Sequence, residues 1–403
     1  MSKTGVFIID DSSVIRMMLS RVISDDPDLE VVGTASNGKI ALKKLETVNP
    51  DIITLDVEMP EMDGLETLVE IRKKWRTIPV IMFSTLTERG ASITIDALAN
   101  GASDYATKPS QTSRDGAIEH VRNDLVYKIK SLRSSKRLAE IRRRSTNAPA
   151  RVSPPVTKPT SAQPAPLTKS SQKTRQPTPP VAQRPRNEQV LAGTTPKATP
   201  SQRSAIATKR SRIDVMAVGT STGGPNALHE FLVEFPATFP IPIVIVQHMP
   251  AMFTKLLAER LNQNAALEVH EAKHGDEIRA GGVWIAPGGY HMVIKRSGTH
   301  ILVETNEEPP ENSCRPAVDV LFRSVNQVYG ARTLAVVLTG MGQDGLLGCE
   351  QVHQSGGHII IQDEDSSVVW GMPGAVAKAN YAHEELPLNE IPGRVCGMVG
   401  MRR

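Results

Sequence analysis

Residues 51–66 read DIITLDVEMPEMDGLE, a stretch that opens with a short apolar run and reaches a carboxylate at Asp56. The run Asp51–Asp56 is one of five such segments between residues 6 and 109, and amphipathic segments separate them. This alternation is typical of a parallel sheet covered by helices on both faces. We therefore predict a doubly wound α/β domain over residues 1–125.

The five apolar runs are the predicted strands of this domain. They are Val6–Asp11, Glu30–Ala35, Asp51–Asp56, Pro79–Ser84 and Asp104–Lys108. Helical patterns such as Val14–Ser24 and Gly38–Val48 lie between them, and Ser12 and Ser13 suit the cap of the first helix. Five strands and five helices are enough for one domain.

Three carboxylates follow two of these strands. Asp10 and Asp11 end the first strand, and Asp56 ends the third. Because the carboxyl ends of adjacent parallel strands meet at one sheet edge, we expect the three side chains to lie together. Clustered carboxylates repel one another unless a cation joins them, and oxygen ligands suit Mg²⁺. The sequence predicts a magnesium pocket at this edge.

A lysine and a hydroxyl follow the remaining strands at the same edge. Ser84 ends the fourth strand, and Lys108 ends the fifth. Taken singly, such residues have ordinary explanations as a turn residue and a solvated charge. Placed together opposite a magnesium-bound aspartate, they are the groups needed to hold the oxygens of a transferred phosphoryl group.

Three motifs carry a resemblance at this point: IIDDSSVIR at 8–16, DIITLDVEMPEMDGLE at 51–66 and TKP at 107–109. Residues 1–125 resemble the receiver domain of bacterial response regulators, which is a flavodoxin-like (βα)5 fold. The resemblance implies that a histidine kinase phosphorylates Asp56.

The same resemblance implies roles for the neighbours of Asp56. Mg²⁺ would be held by Asp10, Asp11, Asp56 and the main-chain carbonyl of Glu58. Ser84 and Lys108 would sense the phosphate. Tyr105 matches the aromatic switch position of the family, although an ordinary tyrosine at the edge of the core is the alternative interpretation. These receiver residues are Asp10, Asp11, Asp56, Glu58, Ser84, Tyr105 and Lys108.

The middle of the chain, residues 126–212, differs from both ends. A basic helical extension is predicted to continue the last receiver helix, and residues 145–212 hold twelve of the 29 prolines and no aromatic residue. Such a segment buries too little surface to offset its chain entropy, so we predict a disordered linker. Its scattered basic residues have no aromatic side chains to stack on bases, and no nucleic-acid partner is expected.

The last segment, residues 213–403, opens with an apolar strand, Ile213–Val218, that leads into GTSTGGP at 219–225. Glycines allow a tight turn there, and the following helix would direct its N-terminal amides at Ser221. That environment suits a nucleophile. The G-x-S-x-G pattern alone is weak, because serine between glycines occurs in many loops.

Two further strands are followed by the partners that a nucleophilic serine needs. His248 follows Ile241–Val246, and Asp344 follows Thr333–Leu338. At a common sheet edge the three side chains can converge for acyl transfer. The order Ser, His, Asp differs from that of α/β-hydrolases, so we predict another doubly wound, mostly parallel α/β fold. His291 is the best alternative to His248, and no H-E-x-x-H motif supports metal hydrolysis.

Six motifs in this segment carry a second resemblance. They are GTSTGGP at 219–225, QHMP at 247–250, APGG at 286–289, RPAVDVLF at 315–322, LTGMGQDG at 338–345 and GMPGAV at 371–376. The segment resembles the chemotaxis-type protein-glutamate methylesterase family, in which a receiver domain usually precedes the esterase.

This resemblance implies a triad of Ser221, His248 and Asp344, with Thr222 and Met341 at the oxyanion site. It implies a glutamyl methyl ester on the cytoplasmic helices of a methyl-accepting chemoreceptor as substrate, and deamidation of glutamines by the same route. It requires no cofactor in the esterase. A chemotaxis-type histidine kinase would phosphorylate the receiver.

The resemblance also implies that the unphosphorylated receiver covers the esterase site and that phosphorylation of Asp56 uncovers it. The predicted linker at 145–212 is longer than we take as typical of the family. A longer tether lowers the local concentration of the receiver only as a weak power of length. We therefore expect inhibition to persist in a weaker form.

Other features of the chain limit the function classes. A response regulator with a DNA-binding or non-catalytic output is the alternative function. No apolar stretch reaches the ~20 residues of a membrane span and the N-terminus is unlike a signal peptide, so a cytoplasmic protein is expected. We expect a monomer. The three cysteines lack the spacing of a zinc or disulfide framework and are expected to be reduced and without a role.

Overall fold

The structure, a computed structural model, describes residues 3–109, 113–133 and 212–401. It contains two α/β domains, as predicted, and these belong to one compact unit. The end of the predicted basic extension and nearly all of the predicted linker lie outside the described residues.

The sheet of the N-terminal domain has five parallel strands in the order β2-β1-β3-β4-β5. They are β1 Thr4–Ile9, β2 Leu29–Ala35, β3 Ile52–Asp56, β4 Val80–Ser84 and β5 Asp104–Thr107. Every predicted strand is present, with bounds shifted by at most two residues. Because β1 ends at Ile9, Asp10 and Asp11 lie in the loop beyond its carboxyl end.

Five helices cover this sheet. They are α1 Ser13–Ser24, α2 Gly38–Leu45, α3 Gly64–Lys74, α4 Glu88–Ala99 and α5 Arg114–Val121, and helical residues continue to 133 through one π-helical turn. Ser12 caps α1, as expected from the sequence. The second helix ends three residues earlier than predicted, because the N–H of Thr47 donates to the carbonyl of Lys44, only three residues back, which tightens the last turn out of the α-helical pattern.

The C-terminal domain is built on a seven-stranded parallel sheet in the order β14-β13-β12-β6-β7-β9-β8. Its strands are β6 Val215–Thr220, β7 Ile243–Gln247, β8 Glu268–Glu271, β9 Gly282–Ile285, β12 Thr333–Val337, β13 His358–Gln362 and β14 Glu384–Leu386. The strands β10 His291–Ser297 and β11 His300–Asn306 form an antiparallel hairpin beside it.

Six helices complete this domain: α6 Gly224–Leu232, α7 Ala251–Asn264, α8 Val318–Tyr329, α9 Leu346–Gln354, α10 Met372–Lys378 and α11 Ile391–Met398. The sheet is buried on both faces, as a parallel sheet between helix layers requires. Among the described helices, none has the length and apolar character of a membrane span.

The order of the central strands determines where a site can form. The strand β6 lies between β12 and β7. The chain continues from β6 to β7 on one side of it, and β12 is added later on the other side, so the direction of strand addition reverses at β6. Open α/β sheets bind their ligands in the crevice at such a switch point. Ser221, His248 and Asp344 follow the carboxyl ends of these three adjacent strands.

Candidate active site and phosphoacceptor site

The turn that carries Ser221 is fixed by main-chain hydrogen bonds. The N–H of Ser221 donates to the carbonyl of Thr339 at 3.0 Å, and its carbonyl accepts from the N–H of Gly224 at 2.8 Å. Gly223 has a φ of 76°, a left-handed conformation that glycine adopts without strain. The serine is therefore presented at the N-terminus of α6, as the sequence predicts.

The side chain of Gln247 braces the same turn. It is buried, and its Nε2 donates to the carbonyls of Ser221 at 3.0 Å and His248 at 3.3 Å. One amide group thus connects the main chain of both residues. Sequence reasoning missed this role, although Gln247 lies in the QHMP motif.

His248 and Asp344 form a short pair, with His248 Nε2 2.8 Å from Asp344 Oδ2. Main-chain N–H groups of Val318, Asp319 and Gly345 also donate to this carboxylate, at 2.6, 3.0 and 3.0 Å. Burial opposes the ionisation of Asp344, but the hydrogen bond from His248 and these amides outweigh it and lower the pKa. Asp344 is therefore held as an anion facing the imidazole.

Asn312 and Asp319 extend this network beyond the predicted residues. Asn312 Nδ2 donates to Asp319 Oδ2 at 2.9 Å and to Asp344 Oδ1 at 3.0 Å. The φ of Asn312 is 52°, in the left-handed region that asparagine tolerates. Burial, together with the charge on Asp344, raises the pKa of Asp319 to about 6. Asp319 could have been noticed as a carboxylate among the apolar residues of RPAVDVLF.

The second ring nitrogen of His248 faces a thiol. Cys314 Sγ lies 3.5 Å from Nδ1, and within the described ranges no hydrogen bond joins Ser221 Oγ to the ring. Burial disfavours the imidazolium, but hydrogen bonds to Asp344 and Cys314 raise the pKa of His248 to about 10. Cys314, which was expected to have no role, therefore contacts the candidate base.

His291, the alternative base, is buried elsewhere in the domain. Its Nδ1 accepts from the N–H of Ala317 at 3.2 Å, and its Nε2 lies 3.1 Å from the carbonyl of Pro309. Both ring nitrogens are thus occupied by the main chain. This arrangement favours a role in holding the loop before α8 in place.

The two candidate oxyanion residues flank Ser221. A Cβ added to Gly340 would lie 3.0 Å from Ser221 Cβ, so the loop that leads to Met341 passes directly beside the serine. The carbonyl of Thr222 accepts from Thr339 Oγ1 at 2.9 Å. Within the part of the chain that the structure covers, the N–H groups of Thr222 and Met341 donate no hydrogen bond. Both amides are available for an oxyanion.

The N-terminal domain packs against these loops. Tyr105 stacks on Phe253 of α7 with ring centroids 4.7 Å apart, and the buried Asp104 carboxylate adjoins the side chain of Thr222. Ser131 Oγ lies 2.7 Å from Met341 Sδ. The face formed by β5 and residues 127–133 thus contacts both candidate oxyanion residues.

Polar contacts fix the edge of the same interface. Asp96 of α4 and Arg260 of α7 form an ion pair, and Asn226 Nδ2 donates to the carbonyl of Ala102 at 3.2 Å. Lys128 Nζ donates to the carbonyl of Tyr105 at 2.7 Å and lies 4.8 Å from the centre of its ring. Tyr105 is therefore held outward, against the second domain.

The acidic cluster of the N-terminal domain is formed as predicted from the sequence. Oxygens of Asp10, Asp11 and Asp56 lie within 4.8 Å of one another, and Lys108 Nζ lies 3.1 Å from Asp10 Oδ2 and 2.7 Å from Asp56 Oδ2. Both oxygens are buried, and Lys108 is the cation that faces them. Three carboxylates gathered around a single lysine offer the oxygen ligands that a magnesium ion prefers.

The surroundings of Asp56 suit a phosphoacceptor. Burial and the charge on Asp10 raise its pKa to about 6 against the influence of Lys108. Ser84 is buried at the end of β4, and its hydroxyl donates to the carbonyl of Thr85 at 3.2 Å. The N–H of Glu58 approaches Asp56 Oδ1 at 3.4 Å.

Comparisons with known proteins match two separate parts of the chain. A family model described as CheB methylesterase matches residues 216–395, and one described as response regulator receiver domain matches residues 6–115. A protein-glutamate methylesterase/protein-glutamine glutaminase of Trichodesmium erythraeum is 44% identical over 99% of this chain and 100% of its own length. A Nocardioides protein of the same description is 42% identical over 99% and 96%.

Two solved structures are similar to separate parts of the chain. The Thermotoga maritima CheB methylesterase catalytic domain is 40% identical and covers 46% of this chain and 99% of its own, with a TM-score of 0.46. The response regulator domain of Thermotoga maritima CheB is 45% identical and covers 32% and 94%, with a TM-score of 0.29.

Proposed function

This chain belongs to the protein-glutamate methylesterase/protein-glutamine glutaminase family, with a receiver domain ahead of a CheB methylesterase domain, and from that membership we propose the roles of its residues. It is a hydrolase of chemotaxis adaptation that acts on methyl-esterified glutamate and on glutamine in proteins. The DNA-binding and non-catalytic outputs considered from the sequence are therefore wrong for this chain.

Ser221 is the proposed nucleophile, and His248 is the base that takes its proton. The pair that supports this assignment is His248 with Asp344, 2.8 Å apart at the switch point of the sheet, where Ser221 also follows a strand end. Asp344 orients the imidazole and stabilises its charge after the proton transfer. In this structure, with the receiver docked on the esterase domain, Nδ1 of His248 faces Cys314. Attack therefore requires Nδ1 to leave Cys314 and to accept a hydrogen bond from Ser221 Oγ.

The reaction proceeds in two steps. Ser221 Oγ attacks the ester carbonyl, and the N–H groups of Thr222 and Met341 donate to the resulting oxyanion. His248 returns its proton to the leaving methoxide, which departs as methanol, and an acyl-enzyme remains. Water then attacks the acyl-enzyme with His248 as base, and glutamate is released. For a glutamine side chain the leaving group is ammonia.

The receiver residues prepare Asp56 for phosphorylation. Asp10, Asp11, Asp56 and the carbonyl of Glu58 would hold Mg²⁺, which neutralises charge on the phosphoryl oxygens. Lys108, already paired with Asp56 at 2.7 Å, would bind one of these oxygens once Asp56 is modified. Ser84 would bind another.

Phosphorylation is proposed to act through Tyr105. With Asp56 unmodified, the ring stacks on Phe253 and the receiver contacts Thr222 and Met341. Movement of Ser84 toward a phosphoryl group would open space behind β4 for the Tyr105 ring. Loss of the stack would weaken docking and expose the esterase site.

The proposed partners follow from the same chemistry. A chemotaxis-type histidine kinase would supply the phosphoryl group to Asp56, and the substrate glutamates would lie on the cytoplasmic helices of methyl-accepting chemoreceptors. A helix presents side-chain esters on an exposed face, which a serine at a sheet edge can reach once the receiver has moved.

Release of methanol from methylated receptor fragments tests the triad. With a phosphodonor and Mg²⁺ present, Ser221→Ala should lower the rate about 10³-fold or more, because the nucleophile is lost. Ser297→Ala is the matched control, since Ser297 is an exposed serine of the β10–β11 hairpin and is not one of the proposed site residues. Release by Ser221→Ala at the wild-type rate would rule out this nucleophile.

The role of the receiver is tested separately. Wild-type release should rise with the phosphodonor, whereas Asp56→Asn should show the unstimulated rate with or without it. An equal stimulation of both proteins would overturn the proposed phosphoacceptor while leaving the triad intact.

A further inference from the structure

The thiol beside His248 has no part in the proposed hydrolysis. Cys314 is half-buried in the loop before α8, and its Sγ is 3.5 Å from Nδ1 of the candidate base. A serine esterase needs no thiol at this position, because the nucleophile is Ser221. The pair combines a soft sulfur ligand with an imidazole, a donor set that Zn²⁺ favours.

The separation of the two donor atoms fits one shared metal ion. Tetrahedral zinc binds sulfur at about 2.3 Å and imidazole nitrogen at about 2.0 Å, which places the two ligand atoms about 3.5 Å apart. Cys314 Sγ and His248 Nδ1 have this spacing without rearrangement. His248, Cys314 and Asp344 are also one of two groups of metal-ligating side chains that lie close together in the described residues.

Asp344 supplies the support that such a ligand pair needs. Metal-binding histidines usually donate their second N–H to a carboxylate, which fixes the ring and makes the ligating nitrogen more basic. Here Nε2 is 2.8 Å from Asp344 Oδ2, so Nδ1 is directed at Cys314. Four other donors hold this carboxylate in place: Asn312, Val318, Asp319 and Gly345.

We propose that His248 Nδ1 and Cys314 Sγ bind a thiophilic divalent cation, Zn²⁺, and that its binding inhibits the esterase. Two protein ligands leave coordination positions for water, which suits a reversible regulatory site better than a structural one. A metal on Nδ1 occupies the lone pair that must accept the Ser221 proton and holds the ring toward Cys314. This consequence rests on the proposed role of His248, whereas metal binding itself does not.

Co²⁺ is the spectroscopic probe for the site. The full-length protein, with excess Mg²⁺ to fill the receiver and a phosphodonor present, should bind one equivalent of Co²⁺ and develop a thiolate-to-cobalt charge-transfer band. Cys314→Ser should lack this band, and His248→Gln should bind Co²⁺ about 100-fold more weakly. Cys396→Ala, which removes another thiol from the same domain, should match the wild type.

Zn²⁺ bound by the same two ligands should inhibit methanol release. The half-inhibiting concentration should be at least about tenfold higher for Cys314→Ser than for the wild type and Cys396→Ala. Equal inhibition of all three, or the absence of a thiolate band, would overturn the site. A band that forms without inhibition would retain the metal site and contradict the role of His248 as base.

A measurement on the wild-type protein tests the site without relying on the folding of any variant. Bound Zn²⁺ should slow the alkylation of Cys314 by iodoacetamide at least about tenfold, as followed by mass spectrometry of the peptide that contains it. Alkylation of Cys314 at the same rate with and without Zn²⁺ would exclude coordination by its sulfur.

Discussion

Asn312 shows how one side chain outside the triad can control its geometry. Its amide donates to Asp344 and Asp319 at once, so it holds two carboxylates that would otherwise repel each other. The residue is exposed, which limits what these hydrogen bonds contribute. Even so, one of them helps the main-chain amides to hold Asp344 against His248, and a small displacement of a catalytic pair is costly.

Asn312→Gly should lower the turnover number for methanol release about three- to tenfold with little change in KM. Glycine keeps the left-handed backbone at φ 52° but removes the donor to Asp344. Steady-state kinetics on methylated receptor fragments would measure the effect. Ser313→Gly is the matched control, because the neighbouring residue also has a positive φ, of 63°, and its side chain is outside the network. Equal kinetics of the two variants would contradict a positioning role for Asn312.

At the scale of elements, the start of α6 depends on the close approach of three chain segments. A Cβ on Gly224 would lie 1.9 Å from Gln247 Oε1 and 2.6 Å from Thr220 Oγ1. Gln247 is buried and bonded to the carbonyls of Ser221 and His248, and Thr220 Oγ1 donates to the carbonyl of Thr339 at 2.8 Å. Neither side chain can move without breaking these bonds.

Gly224→Ala should therefore lower the free energy of unfolding of the esterase domain by about 2 kcal/mol or more and reduce its activity. Gly397→Ala in α11 is the control, because nothing lies within 4 Å of its added Cβ and alanine favours the helix. Thermal unfolding followed by circular dichroism would compare the two. Similar melting temperatures for both variants would show that the turn before α6 adapts to a methyl group.

The central strands, and the site residues at their ends, could be predicted from the sequence. The strands β1, β3, β6, β7 and β12 are short apolar runs, and this local pattern placed Asp56, Ser221, His248 and Asp344 at strand ends. The roles of Asn312 and Cys314 could not be predicted, because they come from a loop whose position depends on contacts distant in sequence. The hairpin β10–β11 was missed as well, since its exposed positions give a weak pattern.

At the scale of the whole molecule, the docking of the receiver was implied only by resemblance. Its contacts join residues that are unremarkable in isolation, such as Tyr105 with Phe253 and Asp96 with Arg260. No periodicity pairs a residue of one domain with a residue of another. The structure adds the specific pairs, and these make the proposed autoinhibition testable.

The ion pair between Asp96 and Arg260 offers that test. Both side chains are partly exposed, at 47% and 29%, so the pair contributes at most about 1 kcal/mol to docking. Arg260→Glu replaces attraction with repulsion and should raise methanol release without a phosphodonor about two- to fivefold. The fully stimulated rate should change little, because the receiver has then left the esterase site.

The reversed pair separates docking from other effects of the substitution. Asp96→Arg combined with Arg260→Glu restores opposite charges across the interface and should return the unstimulated rate close to that of the wild type. Arg279→Glu is the control for charge alone, since Arg279 is exposed and pairs with Glu268 within the esterase domain. If the double variant stays as active as Arg260→Glu, the contact between α4 and α7 does not hold the receiver over the esterase site. Inhibition would then have to depend on the Tyr105 stack and on the contact of Ser131 with Met341.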